Sequence, residues 1–114
     1  MFFIRTTDNR IVQGDDRELE FVLWDMESEP IDLTGKTVYI TIQRYRDGGT
    51  VIVNNQACTV STPVTDGTVT YRVDSAVTAT WDEGHYYGRI TIQDASEGTV
   101  EKSDVFDFQV VRSF

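Results

Sequence analysis

Apolar residues recur at every second position through most of this chain, the spacing of strands that bury one face. In Arg17–Trp24, Leu19, Phe21 and Leu23 point one way while Glu18 and Glu20 point the other. Thr37–Tyr45 sets Val38, Ile40 and Ile42 against Tyr39, Thr41 and Gln43. Thr68–Val73 aligns Val69, Tyr71 and Val73, and Tyr86–Gln93 aligns Tyr86, Gly88, Ile90 and Ile92. Ser103–Val111 places Phe106, Phe108 and Val110 inward against Asp107 and Gln109. Shorter candidates are Phe2–Arg5, Thr50–Val53 and Ala57–Val60, for about seven strands in all. Asp47-Gly48 before Gly49, and Asp66-Gly67, predict turns with positive φ, and Asp94–Thr99 predicts a longer hairpin loop between the last two strands. Asp74–Trp81 breaks the alternation and opens on a helix-capping residue, which predicts one helical or 3₁₀ turn crossing between sheets.

One polar face per strand means that each sheet covers one side only, so two sheets packed face to face are the economical arrangement. The expectation is an all-β chain, residues 1–114 forming a single immunoglobulin-like β-sandwich, with a small barrel as the competing closure. Asp82-x-Gly84-x-Tyr86 matches a tyrosine corner, in which the phenol bonds back to upstream backbone. Gly88 then falls where an antibody domain carries its second cysteine, and a lone cysteine, Cys58, excludes an intrachain disulfide. Phe21, Ile40, Ile90 and Phe106 are left to hold such a core.

Charge narrows the partners. Nineteen carboxylates oppose ten Lys and Arg for a net charge of -9, which repels nucleic acid and anionic lipid. Asp exceeds Glu twelve to seven, and only Lys36 and Lys102 are lysines, a surface that suits either ordinary solubility or a saline medium. No apolar run approaches the ~20 residues of a membrane span, and Met1–Arg5 lacks the basic start and long apolar middle of a signal peptide. No membrane association and no export are expected.

Little in the chain carries chemistry. One histidine and one cysteine cannot furnish the usual zinc spacings, and His85 reads as an ordinary turn residue. Cys58 reads as a small core residue. The acidic clusters at Asp15-Asp16, Asp25–Glu29 and Asp82-Glu83 lack the EF-hand pattern and read as solvated loops. The glycines punctuate turns and strands and open no helix, so no phosphate loop is present. No cofactor, metal or catalytic residue is assigned, and an enzyme is not expected. Trp24 and Trp81 read as packing residues, whereas Tyr45 and Tyr87 fall on outward positions that suit an interface.

Four elements together carry a resemblance. Gly14-Asp15 precedes the first long strand, that strand ends near Asp25, Pro30-Ile31-Asp32-Leu33-Thr34-Gly35 leads into the next, and Gly84–Tyr86 opens a late one. In these the chain, from roughly Ile11 to Val111, resembles the Ig-like N-terminal domain of tailed-phage baseplate upper proteins and related small phage structural domains. The join itself reads as a structural corner: Pro30 fixes the entry, Leu33 plugs the end of the core, Thr34 bonds local backbone and Gly35 supplies a backbone conformation closed to other residues. Asp82, Gly84 and Tyr86 form the second corner.

The resemblance implies a virion structural protein, non-catalytic, docking onto or connecting other virion proteins of tail, baseplate or capsid surface, in many copies or as a homo-oligomer. Baseplate relatives continue into a stalk, whereas this sequence stops at Phe114, so a stand-alone accessory protein is expected. Interface candidates are Phe2, Phe3, Ile4 and Phe114, as apolar residues near the ends, together with Tyr45 and Tyr87. The alternative is a carbohydrate- or receptor-binding adhesion module engaging a host glycan, for which a row of exposed aromatics is the distinguishing feature.

Overall fold

A computed structural model of the protein describes residues 2–6, 10–44, 51–94, 98, 100–102 and 106–112. Its strands are β1 (Phe3–Thr6), β2 (Arg10–Val12), β3 (Arg17–Trp24), β4 (Lys36–Gln43), β5 (Val51–Ala57), β6 (Thr59–Val60), β7 (Thr68–Val73), β8 (Gly84–Asp94), β9 (Val100–Lys102) and β10 (Phe106–Val111). They form a four-stranded sheet in the order β1-β3-β7-β6 and a second sheet in the order β2-β10-β8-β4-β5, with β9 also paired to β8. This is the immunoglobulin-like arrangement of two packed sheets, without a disulfide.

Three segments depart from the expected strands, with β2 and β9 as additions to them. The first crosses between sheets, β1 pairing antiparallel with β3 and β2 parallel with β10. The edge segment Val51–Val60 does the same: β5 pairs with β4, the Cys58 amide bonds Val38 O at 2.8 Å, and β6 then joins β7. The two short strands expected at Thr50–Val53 and Ala57–Val60 are therefore one run that changes sheets. β9 and β10 lie along the same edge of β8, each antiparallel to it. The Asp47-Gly48 turn and most of the Asp94–Thr99 loop lie outside the described residues.

Alternation becomes a common core. Leu19, Phe21 and Leu23 of β3, Val38, Ile40 and Ile42 of β4, Val69 and Val73 of β7, Ile90 and Ile92 of β8, and Phe108 and Val110 of β10 are all buried. Trp81 stacks on Tyr86 at 5.7 Å and lies 6.3 Å from Phe108, placing an aromatic cluster at one end. The expected helical turn is α1 (Ser75–Thr78), between β7 and β8. Asp74 occupies its N-cap position without capping it: the Asp74 carboxylate meets Arg72 at 3.3 Å, and the Ser75 N–H donates instead to Asp16 Oδ1 at 2.6 Å. The cap comes from the β2–β3 loop because the buried Thr78 holds that loop against α1, its hydroxyl donating to Asp15 O at 2.8 Å and accepting from the Gly14 N–H at 3.1 Å.

Candidate functional site

The β4–β8 ladder runs without a break through eight facing pairs, from Lys36 opposite Asp94 to Gln43 opposite Tyr87. Since the apolar residues of both strands go inward, the ladder sets Tyr39, Thr41 and Gln43 beside Thr91, Arg89 and Tyr87 on the outward face. Asn54 and Asn55 of β5 form one wall and Val100 of β9 the other, leaving a groove of about 650 Å³.

The wall exists because β5 is irregular. Between the pairs Ile40–Gln56 and Ile42–Val53 the edge strand carries one more residue than β4, and a second shift follows before Gln43–Val51. Such bulges bend and twist an edge strand and re-aim its side chains. Asn55 adopts φ 50°, and its N–H donates to Thr41 Oγ1 at 3.1 Å, fixing the bulge to the groove floor. A left-handed conformation at a residue other than glycine is uncommon outside Asn and Asp, and strain of this kind clusters at binding sites.

None of the described residues lining the groove is a carboxylate, although the chain carries nineteen. Amides, hydroxyls, two tyrosines and Arg89 line it instead. Arg89 faces Thr41 at mid-ladder, is exposed, and makes no ion pair among the described residues. Among the described residues the nearest acid in the register is Asp107, opposite Tyr87 on β10, which is not among those lining the groove. Tyr39 and Tyr87 stand four ladder positions apart, about 13 Å along the strands at ~3.3 Å per residue.

The expected interface residues separate. Tyr87 is half-buried and lines the groove. Phe3 is 47% exposed on the outer face of the four-stranded sheet, in register with Trp24. Phe2, expected as an exposed end residue, is only 1% exposed and belongs to the core, and Ile4 packs partly buried against it, because β1 alternates inward and outward like the other strands. Tyr45 and Phe114 lie outside the described residues. Tyr39, Arg89, Gln93, Asn54 and Asn55 were not singled out from the sequence. The usable signal was that the polar faces of β4 and β8 carry no acid before Asp94.

Both corners serve the scaffold. Leu33 is 1% exposed, Gly35 takes φ 70°, and Pro30 bridges to Trp24. The Thr34 hydroxyl, expected to bond local backbone, donates to the Asp32 side chain: Asp32 Oδ1 accepts from the Thr34 hydroxyl at 2.6 Å and from its N–H at 3.0 Å, holding the Asp32 carboxyl below its usual range. At the second corner Tyr86 OH donates to Asp82 O at 2.7 Å. Gly84, with φ 138°, leaves room for the Arg44 guanidinium, which would lie 2.6 Å from a Cβ placed there. Arg44 caps the Tyr86 ring at 4.8 Å and donates to Glu83 O and His85 O. Burial pushes the Tyr86 phenol up and the Cys58 thiol to about 12. Asp25 Oδ1 is engaged by the Glu27 and Glu29 amides, and among the described residues no group of three His, Cys, Asp or Glu is placed to hold a metal ion.

No protein-family model and no curated protein matches the chain. Among solved structures it is similar to the CARDB domain of a Pyrococcus furiosus protein, a structure in complex with di-metal ions, at a TM-score of 0.50 and 16% identity, covering 97% of this chain and 86% of that one. The Lin-41 filamin domain gives a TM-score of 0.47 and 15% identity, covering 98% of this chain and 93% of that one. Neither is a phage protein. With the strand order, the CARDB likeness defines the class: an Ig-like β-sandwich. At this identity it bears on fold alone.

Proposed function

We propose that this protein is a non-catalytic structural module of a phage virion, docking onto other virion proteins of the tail, baseplate or capsid surface, without cofactor or nucleic-acid partner. The sequence resemblance motivates the virion, and one structural relationship carries the docking. β1 is an edge strand, and on its outward face Phe3 pairs with Trp24, flanked by the half-buried Val22 and the exposed Pro30. Trp24 Nε1 is buried there with no hydrogen-bond partner among the described residues. An open strand edge beside an aromatic pair offers both backbone groups and apolar area to a neighbouring subunit.

The test is density-gradient fractionation of particles from the strain that encodes the chain, with quantitative mass spectrometry of each fraction. A fixed copy number in the particle peak, lost in a Phe3→Ser variant that remains folded, is the expected result. A chain found only among free proteins would overturn the virion assignment. A second reading, recognition of a host glycan, is favoured by the acid-free groove with Tyr39 and Tyr87 on one face.

A further inference from the structure

We infer that the groove on the six-stranded sheet binds a short oligosaccharide carrying a single carboxylate, an acidic sugar within an otherwise neutral glycan. This rests on the second reading above and names its ligand class. Four observations converge. The groove lies mid-sheet, where β4 pairs with β5 on one side and β8 on the other, so an extended peptide finds no open edge of β4 to pair with. Its described lining is mostly amide and hydroxyl, with Val100 as the one aliphatic side chain among those residues, which gives apolar peptide anchors little to fill.

Tyr39 and Tyr87 are placed to stack on rings at the two ends of a bound chain, while Gln43, Gln93, Asn54 and Asn55 supply paired donors and acceptors for ring hydroxyls. Between the tyrosines stands Arg89, whose fork matches a carboxylate and which no acid of this chain occupies among the described residues. Net charge sets the limit from the other side. At -9 the protein repels a polyanion, so one carboxylate opposite Arg89 fits where a string of phosphates or uronates does not.

The experiment is a ¹⁵N–¹H NMR titration of the full chain with 3′-sialyllactose and with cellobiouronic acid as acidic probes. Lactose and cellobiose serve as neutral ones, and an acetylated tripeptide with a free C-terminal carboxylate as the peptide control. The expected result is saturable shifts at amides of β4 and β8 around Tyr39, Thr41 and Arg89 with at least one acidic sugar. Affinity should fall at least fivefold for its neutral counterpart and tenfold in Arg89→Gln, with a comparable loss in Tyr39→Ala. Arg89 is exposed, so unchanged spectral dispersion in Arg89→Gln establishes that the variant folds. No saturable shift with either acidic sugar, shifts confined to another face, or full affinity in Arg89→Gln would overturn the inference. Binding of the tripeptide alone would replace it with peptide docking. Particle fractionation is independent of all these outcomes, so failure of the glycan site leaves the virion proposal standing, and the reverse.

Discussion

The ring of Phe106 lies where a side chain on Gly88 would stand: a Cβ built on Gly88 comes within 2.4 Å of Phe106 Cζ. Phe106 reaches on to Phe21 of β3, ring centroids 5.0 Å apart, so an aromatic contact joins the two sheets near the place where an antibody domain puts its disulfide. Gly88 is therefore the socket of a cross-sheet contact as well as an interruption in the alternation of β8.

Gly88→Ala should destabilise the fold, because the added methyl either displaces Phe106 from Phe21 or forces the strands apart. Overpacking of this kind costs about 1–3 kcal/mol. Urea unfolding should show the loss as a lower midpoint at unchanged slope, and Phe106→Leu in the same chain should recover part of it, since the two positions share one space. Equal stability of Gly88→Ala and the parent would mean that Phe106 moves away freely and does not bind the sheets together.

Thr78 is fully buried, and its hydroxyl connects α1 to the loop before β3 through Gly14 and Asp15. Thr78→Val keeps the shape and strands a backbone donor and a backbone acceptor, for an expected loss of about 1–3 kcal/mol. Thr78→Ser, which retains the hydroxyl, should lose less. Hydrogen exchange at the Gly14 and Ser75 amides provides the specific readout: both should exchange faster in Thr78→Val, because the loop that supplies Asp16 to cap α1 is released with it. Protection unchanged at Ser75 would separate the cap from the Thr78 anchor.

Burial raises the Cys58 thiol from 9.0 to about 12 and moves the Tyr71 and Tyr86 phenols above 10.0. In each case the fold favours the neutral acid, so the unfolded chain loses its proton first as pH rises. The stabilisation is complete below pH 9 and is lost as the solution moves from 9 towards the folded value near 12. Thermal melts should therefore hold level to about pH 9 and then decline, one thiol contributing a limiting slope of about 1.4 kcal/mol per pH unit. Cys58→Ala should flatten the decline between roughly pH 9 and 10, before the tyrosines contribute. A parent protein with level stability to pH 11 would show that Cys58 is not desolvated as its position between β5 and β6 implies. Native Cys58 should also react with thiol reagents at pH 8 only as fast as the chain opens, because the thiolate is the reactive form.

Class and core were legible from the chain alone because burial on one face of a strand imposes period two, and period two survives in the sequence as alternation. Leu19, Phe21, Val38, Ile40, Val69, Ile90 and Phe108 all stand where alternation puts them. The Asp82-x-Gly84-x-Tyr86 corner was legible for a related reason: its hydrogen bond closes over four residues, within the reach of a local motif.

Relations between distant segments were decided only by the tertiary structure. Asp74 looked like the cap of α1, but a side chain 59 positions from Ser75 performs that role, since the β2–β3 loop happens to pack there. Phe2 looked exposed because it is near one end, yet β1 carries it into the core. The groove is of the same kind. Tyr39, Arg89 and Asn55 are distant in the sequence and each is unexceptional alone. Pairing of β4 with β8, together with two register shifts in β5, is what sets them in one groove whose described lining holds no acid. Alternation states which way each side chain points, a local property of the backbone. Which side chains then meet depends on strand order and register, fixed by the packing of the whole sandwich.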